Sequence, residues 1–363
     1  MKKLTDYVTL GKSGLRVSPL ALGAMTFGND WGWGSSEEES FDIMDAYIEK
    51  GGNFIDTANV YTKGHSEKII GDYFRLRNIR RDSQVISTKF FVNLYPGDPN
   101  GGGTGRKSII GAVENSLRRL QTDYIDLYWM HAFDPHTPIE ETLSTLSDLV
   151  TNGKIRYFAI SDTPAWKIAQ ANTISQFRGW PGFIGLQLEY SLLERTVEGD
   201  LIPMAQDMGI GVVPWSPLKG GILSGKYTRE NRGQKKTGRS AGSEDFLGDR
   251  EYDIIDALED IAKSKKVSPA SIALAWVISR PGVSSTLIGA RTTKQLEQNL
   301  TSLDVELLDD EIQRLDDLSL PILNFPAAFL TEGAYNLGQS GATINGYKSV
   351  VAPLIPQSLE ELY

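Results

Sequence analysis

NFIDTANVY, residues 53–61, runs from a short apolar stretch into an acid, Asp56, and five positions later a tyrosine, Tyr61. Working outward, VISTKF at 85–90 ends on Lys89 and Phe90, and YIDLYWMH at 124–131 ends on His131. Each run has the β-branched and aromatic content of a buried strand, and each is followed by an amphipathic stretch of about a dozen residues. In a parallel sheet closed into a barrel, strand ends share one rim, and reaction sites are built there. Asp56, Tyr61, Lys89 and His131 would then face one small volume. Tyr61 would be a proton donor made more acidic by the Lys89 ammonium, Asp56 would hold the lysine, and His131 would hydrogen-bond a reacting oxygen. Each residue also has a structural use. Asp56 could cap a helix, Tyr61 could pack in a loop, Lys89 could be solvated, and His131 could be a satisfied core histidine. Four such uses at three successive strand ends require four coincidences, and an enzyme is the better reading.

The same alternation runs through most of the chain. Expected strands are 20–23, 53–56, 84–88, 125–130, 155–160, 183–187, 211–214 and 285–288. Expected helices are 37–50, 66–76, 107–120, 139–151, 165–177, 201–208, 252–265 and 293–300. Eight strand–helix units predict a closed α/β barrel, a (β/α)8 TIM barrel. Segments 5–11 and 15–18 read as an N-terminal β-hairpin plugging its bottom. Two additional helices are expected at 268–280 and 309–318. No linker divides residues 1–318, which are read as one barrel. Residues 319–363 mix Gly, Pro and aromatics with little periodicity and read as a C-terminal extension packing on the barrel, with a substrate-site lid as one use.

A chain of 363 residues with 40% hydrophobic content can bury a large core. Its net charge of −9 argues against a general nucleic-acid or anionic-membrane surface, although a local basic pocket is compatible with it. The absence of cysteine excludes disulfides, thiol nucleophiles and zinc–thiolate sites. The N-terminal MKKLTDYVTL is too polar for a secretory signal, and no apolar run approaches the roughly 20 residues that span a bilayer, so the cytoplasm is the expected location. The stretch GDPNGGGTGRKS, 97–108, lacks phosphate-loop spacing because Arg106 intervenes before Lys107, and it reads as a flexible loop entering a helix.

The strings GGNFIDTANVY, YIDLYWMH, QLEYSLLER, PWSPLKGGILSGKY and IGARTTKQLEQNL together resemble the aldo-keto reductases, and the similarity runs from about residue 10 to residue 318. ISDTPAW, with the long loop after Lys89, is similar to the aryl-alcohol dehydrogenase-like branch. The resemblance implies a barrel that binds NADP(H) without a Rossmann domain and reversibly reduces an aldehyde or ketone, with Asp56, Tyr61, Lys89 and His131 as its catalytic tetrad. It also implies a cofactor path. Gly23, Ala24 and Met25 follow the first strand, and Asp56 lies near the nicotinamide. Ser161, Asp162 and Gln187 hold the carboxamide, and Trp215 stacks on the ring. Ser216, Pro217, Leu218, Gly220 and Lys226 cover the pyrophosphate. Gly289, Arg291, Gln295, Gln298 and Asn299 meet the adenosine end, where Arg291 favours a 2′-phosphate and hence NADP over NAD.

Asp162 departs from the asparagine common at its position, and its charge should favour the oxidised, cationic nicotinamide. Trp31, Trp33, Phe90 and Tyr95 are the expected substrate-side aromatics. They suit an aryl aldehyde or a sugar ring, and leave aliphatic aldehydes and oligomeric state open. Two other functions compete. A non-enzymatic cofactor-sensing regulatory subunit would keep the same pocket. A metal-dependent barrel hydrolase would need ligand spacing that His65, His131 and His136 do not provide. No metal, nucleic-acid or membrane partner is expected, only a small carbonyl or alcohol substrate.

Overall fold

The computed structural model describes residues 2–234, 247–352, 355–356 and 358–362. A hairpin, β1 (Val8–Thr9) and β2 (Arg16–Val17), precedes eight parallel strands. These are β3 (Leu20–Gly23), β4 (Phe54–Asp56), β5 (Val85–Phe90), β6 (Ile125–Met130), β7 (Ile155–Ser161), β8 (Gly185–Glu189), β9 (Gly211–Trp215) and β10 (Thr286–Gly289). They pair in the order β10-β3-β4-β5-β6-β7-β8-β9. The seam closes just before β10, where Val212 N donates to Gly282 O at 3.0 Å and Ser284 N donates to Val212 O at 2.9 Å. The result is the expected (β/α)8 barrel.

Helices surround it: α1 (Glu37–Glu49), α2 (His65–Arg77), α3 (Arg106–Leu120), α4 (Ile139–Thr151), α5 (Ala165–Arg178), α6 (Leu201–Met208), α7 (Asp249–Lys265), α8 (Pro269–Ile278), α9 (Thr293–Leu300) and α10 (Asp309–Leu318). Local chemistry sets several boundaries. Ser36 and Glu39 form a reciprocal capping box at α1, while Ser268 caps α8 and Pro269 opens its first turn. Helix α8 is apolar on every side and buried from Ala270 to Val277, which follows from its packing against both α7 and α9.

Strand alternation divides the core in two. Outward residues such as Ile55, Ile86, Tyr128 and Ile160 pack beneath the helices. Inward residues Ala21, Phe54, Val85, Leu127, Trp129, Ala159, Val213 and Leu287 fill the barrel, with Leu10 and Val17 from the hairpin segment closing its floor. Fully burying one such Leu, Val or Phe contributes about 1.5–3 kcal/mol. The plug turns at Gly11, where φ is +56° and a Cβ would lie 2.6 Å from backbone atoms of Ile184, Gly209 and Gly211.

Beyond α10 the chain is anchored at Ser319, whose hydroxyl accepts from Arg195 Nη1 at 2.7 Å and whose carbonyl accepts from Arg250 Nη2 at 3.1 Å. It continues through α11 (Ala327–Phe329), α12 (Tyr335–Gln339) and a hairpin of β11 (Thr343–Ile344) and β12 (Tyr347–Lys348), with Ile322, Phe325 and Tyr347 exposed. Residues 353, 354, 357 and 363 of the extension lie outside the described residues. Among the described residues no helix is long and apolar enough to cross a membrane. The glycine-rich stretch folds back on the loop after β5, with Gly103 N donating to Phe91 O at 2.8 Å and Thr104 N to Asp134 Oδ2 at 2.9 Å. It enters α3 as a loop, as expected, and these bonds hold it to its neighbours.

Candidate active site

The strand period of two decides which residues reach the rim. Below the rim Phe54, Val85 and Trp129 point inward. Two residues on, the same faces present Asp56, Ser87 and His131, and Lys89 follows Ser87. Lys89 is fully buried and donates to an Asp56 carboxylate oxygen, to Thr57 O at 2.8 Å and to the Tyr61 hydroxyl at 3.4 Å. The other Asp56 oxygen accepts from Ser87 Oγ at 2.5 Å and from Gln187 Nε2 at 3.4 Å. Burial pushes the Lys89 ammonium down, but the Asp56 charge, with the hydrogen bonds to Asp56 and Tyr61, outweighs it and leaves its pKa above the ordinary lysine value. The cation therefore persists at neutral pH.

His131 stands edge-on to Tyr61, with ring centroids 6.0 Å apart. Burial first, then the Lys89 charge, lowers its pKa to about 3. It is a neutral imidazole at physiological pH, carrying one N–H and one lone pair. Its Nδ1 is buried and has no hydrogen-bond partner among the described residues.

These groups open on a cleft of about 580 Å³. Tyr61, Asp56 and His131 line it together with Ser161, Asp162, Gln187 and Trp215. The same wall takes in Ser216, Pro217, Leu218, Gly220 and Lys226 from the loop after β9, Gly289, Arg291, Gln295, Gln298 and Asn299 from β10 onward, and Gly23 and Met25. The sequence-predicted cofactor residues thus share one cavity, with one exception. Ala24 is buried and faces away, because its neighbour Gly23 occupies the inward position of β3. Lys89 is also absent from the wall, since it sits behind Asp56 and Tyr61.

The cleft carries two cations on its wall, Lys226 and Arg291, which suit an anionic ligand. Lys226 and Arg291 have no carboxylate within ion-pair distance among the described residues, although the chain carries a net charge of −9. The loop after β9 is left-handed at Ser216, Lys219, Gly220 and Gly221 and folds on itself, with Lys219 N donating to Ser216 O at 2.8 Å and Gly220 N to Ser216 Oγ at 2.9 Å. Thr292, next to Arg291, caps α9 by accepting from Gln295 N. Asp162 accepts from Trp215 Nε1 at 3.1 Å, which fixes the indole across the cleft. Burial raises the Asp162 pKa, against the opposing hydrogen bond from Trp215.

The substrate-side expectations divide. Trp33 lines the cleft, and Trp31 stacks on it at 5.6 Å without lining the cleft itself. Phe90 is corrected to a core residue: it is fully buried against Tyr128, because its neighbour Lys89 takes the inward position. Tyr95 is corrected as well. It is half exposed, away from the cleft, and its hydroxyl accepts from Asn115 at 3.1 Å. No described residue of the extension lines the cleft. Residues not anticipated include Ser87, which strand parity with Lys89 would have revealed, and Thr26, Gly221, Ser224 and Ser268, which come from loops without a periodic signal. Among the described residues no group of three or more His, Asp or Glu is placed to hold a metal ion.

Comparison with known proteins agrees with this architecture. The profile of the aldo/keto reductase family matches residues 19–320. The oxidoreductase YrpG of Bacillus subtilis is 37% identical over 322 residues, covering 86% of this chain and 95% of that protein. An aryl-alcohol dehydrogenase of Pestalotiopsis microspora is 35% identical over 349 residues, covering 93% of this chain and 89% of that one. The norsolorinic acid reductase stcV of Emericella nidulans is 36% identical over 339 residues, covering 91% and 86% respectively. A barrel with its polar rim, read together with these matches across nearly its whole length, makes the chain a member of the aldo/keto reductase family.

Proposed function

We propose that the protein is an NADP(H)-dependent oxidoreductase that reversibly reduces an aldehyde or ketone to an alcohol, with Tyr61 as the proton donor. The observation that carries this reading is the buried Asp56–Lys89–Tyr61 chain, which opens on a cleft lined by two cations, Lys226 and Arg291, without acidic partners among the described residues. When bound, the dinucleotide supplies or accepts the hydride.

The protein's own groups manage the proton and the charge. Tyr61 donates its proton to the carbonyl oxygen, and the Lys89 ammonium stabilises the phenolate left behind. Asp56 keeps that ammonium charged and in place, and is itself oriented by Ser87 and Gln187. His131, neutral, offers an N–H to the same oxygen as alkoxide charge develops. Trp33 supplies an apolar wall that suits an aryl ring, and the relatives named for aryl-alcohol and norsolorinic acid chemistry support that substrate class.

NADPH oxidation with aromatic aldehydes, aliphatic aldehydes and keto sugars, with NADH in parallel, tests the reading. Turnover separates it from a cofactor-sensing subunit, and no turnover with any carbonyl refutes it. Arg291→Ala should raise the KM for NADPH about 10- to 100-fold and leave that for NADH nearly unchanged, the size of a lost charge-assisted phosphate contact. Equal losses for both nucleotides would place Arg291 elsewhere. Asp162→Asn should shift relative affinity a few-fold from NADP⁺ towards NADPH, because it removes a carboxylate from beside the ring. Fluorescence titration with both forms measures this, and an unchanged ratio counts against the assignment.

A further inference from the structure

The loop of residues 27–35 leaves β3, carries Trp31 and Trp33, and closes on itself through Gly28 N to Ser35 O at 2.9 Å and Ser35 N to Thr26 O at 2.7 Å. One flank is tied to the segment after β10, where Ser35 Oγ donates to Arg291 O at 3.1 Å and Thr26 Oγ1 to Ala290 O at 2.9 Å. The other flank is tied to the turn that bears Tyr61. There Thr62 Oγ1 donates to Phe27 O at 2.9 Å, and His65 Nδ1 meets Asp30 Oδ2 at 2.8 Å.

The Tyr61 turn needs such ties. Thr62, Lys63 and Gly64 are consecutive left-handed residues, with φ of +46°, +61° and +92°, an arrangement costly for the two that carry side chains. Gly28, at φ +95°, lets the groups converge. A Cβ there would lie 2.8 Å from Asp30 Oδ2 and 3.2 Å from both His65 Nδ1 and Thr62 Oγ1. Lys63 faces Asp30 from the turn, and Arg119, which reaches Gly64 from α3, is engaged by Glu67 at 2.5 Å.

We propose that Asp30 and His65 form a latch that sets the spacing between the Trp31–Trp33 wall and the Tyr61 hydroxyl, and so determines selectivity for flat aromatic carbonyls over small aliphatic ones. Both are positioning residues, acting through Trp33 and the Tyr61 turn. The selectivity rests on the reductase reading, whereas the latch itself does not.

The test uses Asp30→Asn, His65→Gln, the double variant and His65→Arg, which keeps an N–H donor facing Asp30. Asp30→Asn and His65→Gln should each raise the KM for benzaldehyde about three- to tenfold, in keeping with a partly exposed pair holding a loop, with kcat and the KM for propanal within about twofold. The double variant should be no worse than either single one, and His65→Arg should restore the wild-type value. Independently of turnover, amide exchange should quicken in residues 27–35 of Asp30→Asn, His65→Gln and the double variant. Unchanged exchange there, additive losses, or equal effects on both aldehydes would overturn the latch. Absence of turnover in the wild type would refute the reductase reading and the selectivity with it, and the exchange measurement would still decide the latch.

Discussion

Tyr61→Phe is expected to lower kcat by about two to four orders of magnitude, the range supplied by a positioned general acid. The fold and nucleotide affinity should remain near wild type. The reason is geometric: the hydroxyl is the one part of Tyr61 that the substitution removes, and the phenyl ring can still meet His131 edge-on. Steady-state turnover with the best carbonyl, paired with NADPH titration, separates loss of proton transfer from loss of binding. Retained turnover would remove Tyr61 from the acid role and leave His131 as the remaining donor beside it.

Lys89→Met should be damaging in two separable ways. Asp56 is 2% exposed, and its carboxylate would keep Ser87 and Gln187 as donors but lose its cation. Breaking a buried pair from one side costs about 3–5 kcal/mol. A destabilisation of that size should lower Tm by roughly 4–7 °C. Turnover should also fall by orders of magnitude, because the ammonium beside the Tyr61 hydroxyl would be gone. Combining the substitution with Tyr61→Phe should cost kcat little beyond the worse single variant, since the two groups act as one unit. Thermal melting and turnover of the three variants check this. A Lys89→Met protein with wild-type melting and turnover would mean that the Asp56–Lys89 pair is neither structural nor catalytic.

The commitment of Asp56 to Lys89 also bears on the hydrolase alternative. Its carboxylate accepts from an ammonium, a hydroxyl and an amide, and a cation placed there would face the lysine charge.

What was legible in the sequence was what a short-range period encodes. The runs ending at Asp56, Lys89 and His131 announce buried strands, and the amphipathic stretches between them announce covering helices, so barrel and rim follow. The same period, applied one step further, excludes Phe90 from the cleft and Ala24 from its wall, and brings Ser87 onto Asp56. Loops carry no such period. Whether Trp33 or Tyr95 reaches the cleft depends on contacts such as Thr26 with Ala290, 264 residues away, and Asp30 with His65, 35 away. Those pairs arise from strand closure and left-handed turns, which adjacent residues do not announce. The extension was opaque for the same reason. Its alternation of Gly, Pro and aromatics has no face, and the structure ties it to the barrel through Ser319 and leaves much of its apolar surface exposed.

The most direct measurement follows deuterium from C4 of labelled NADPH into the alcohol formed from benzaldehyde, in wild type and in Tyr61→Phe. The account predicts label at the benzylic carbon with the wild-type protein, and formation of the same labelled alcohol slowed by orders of magnitude in the variant. Alcohol without label, no alcohol at all, or equal rates in the two proteins would contradict it.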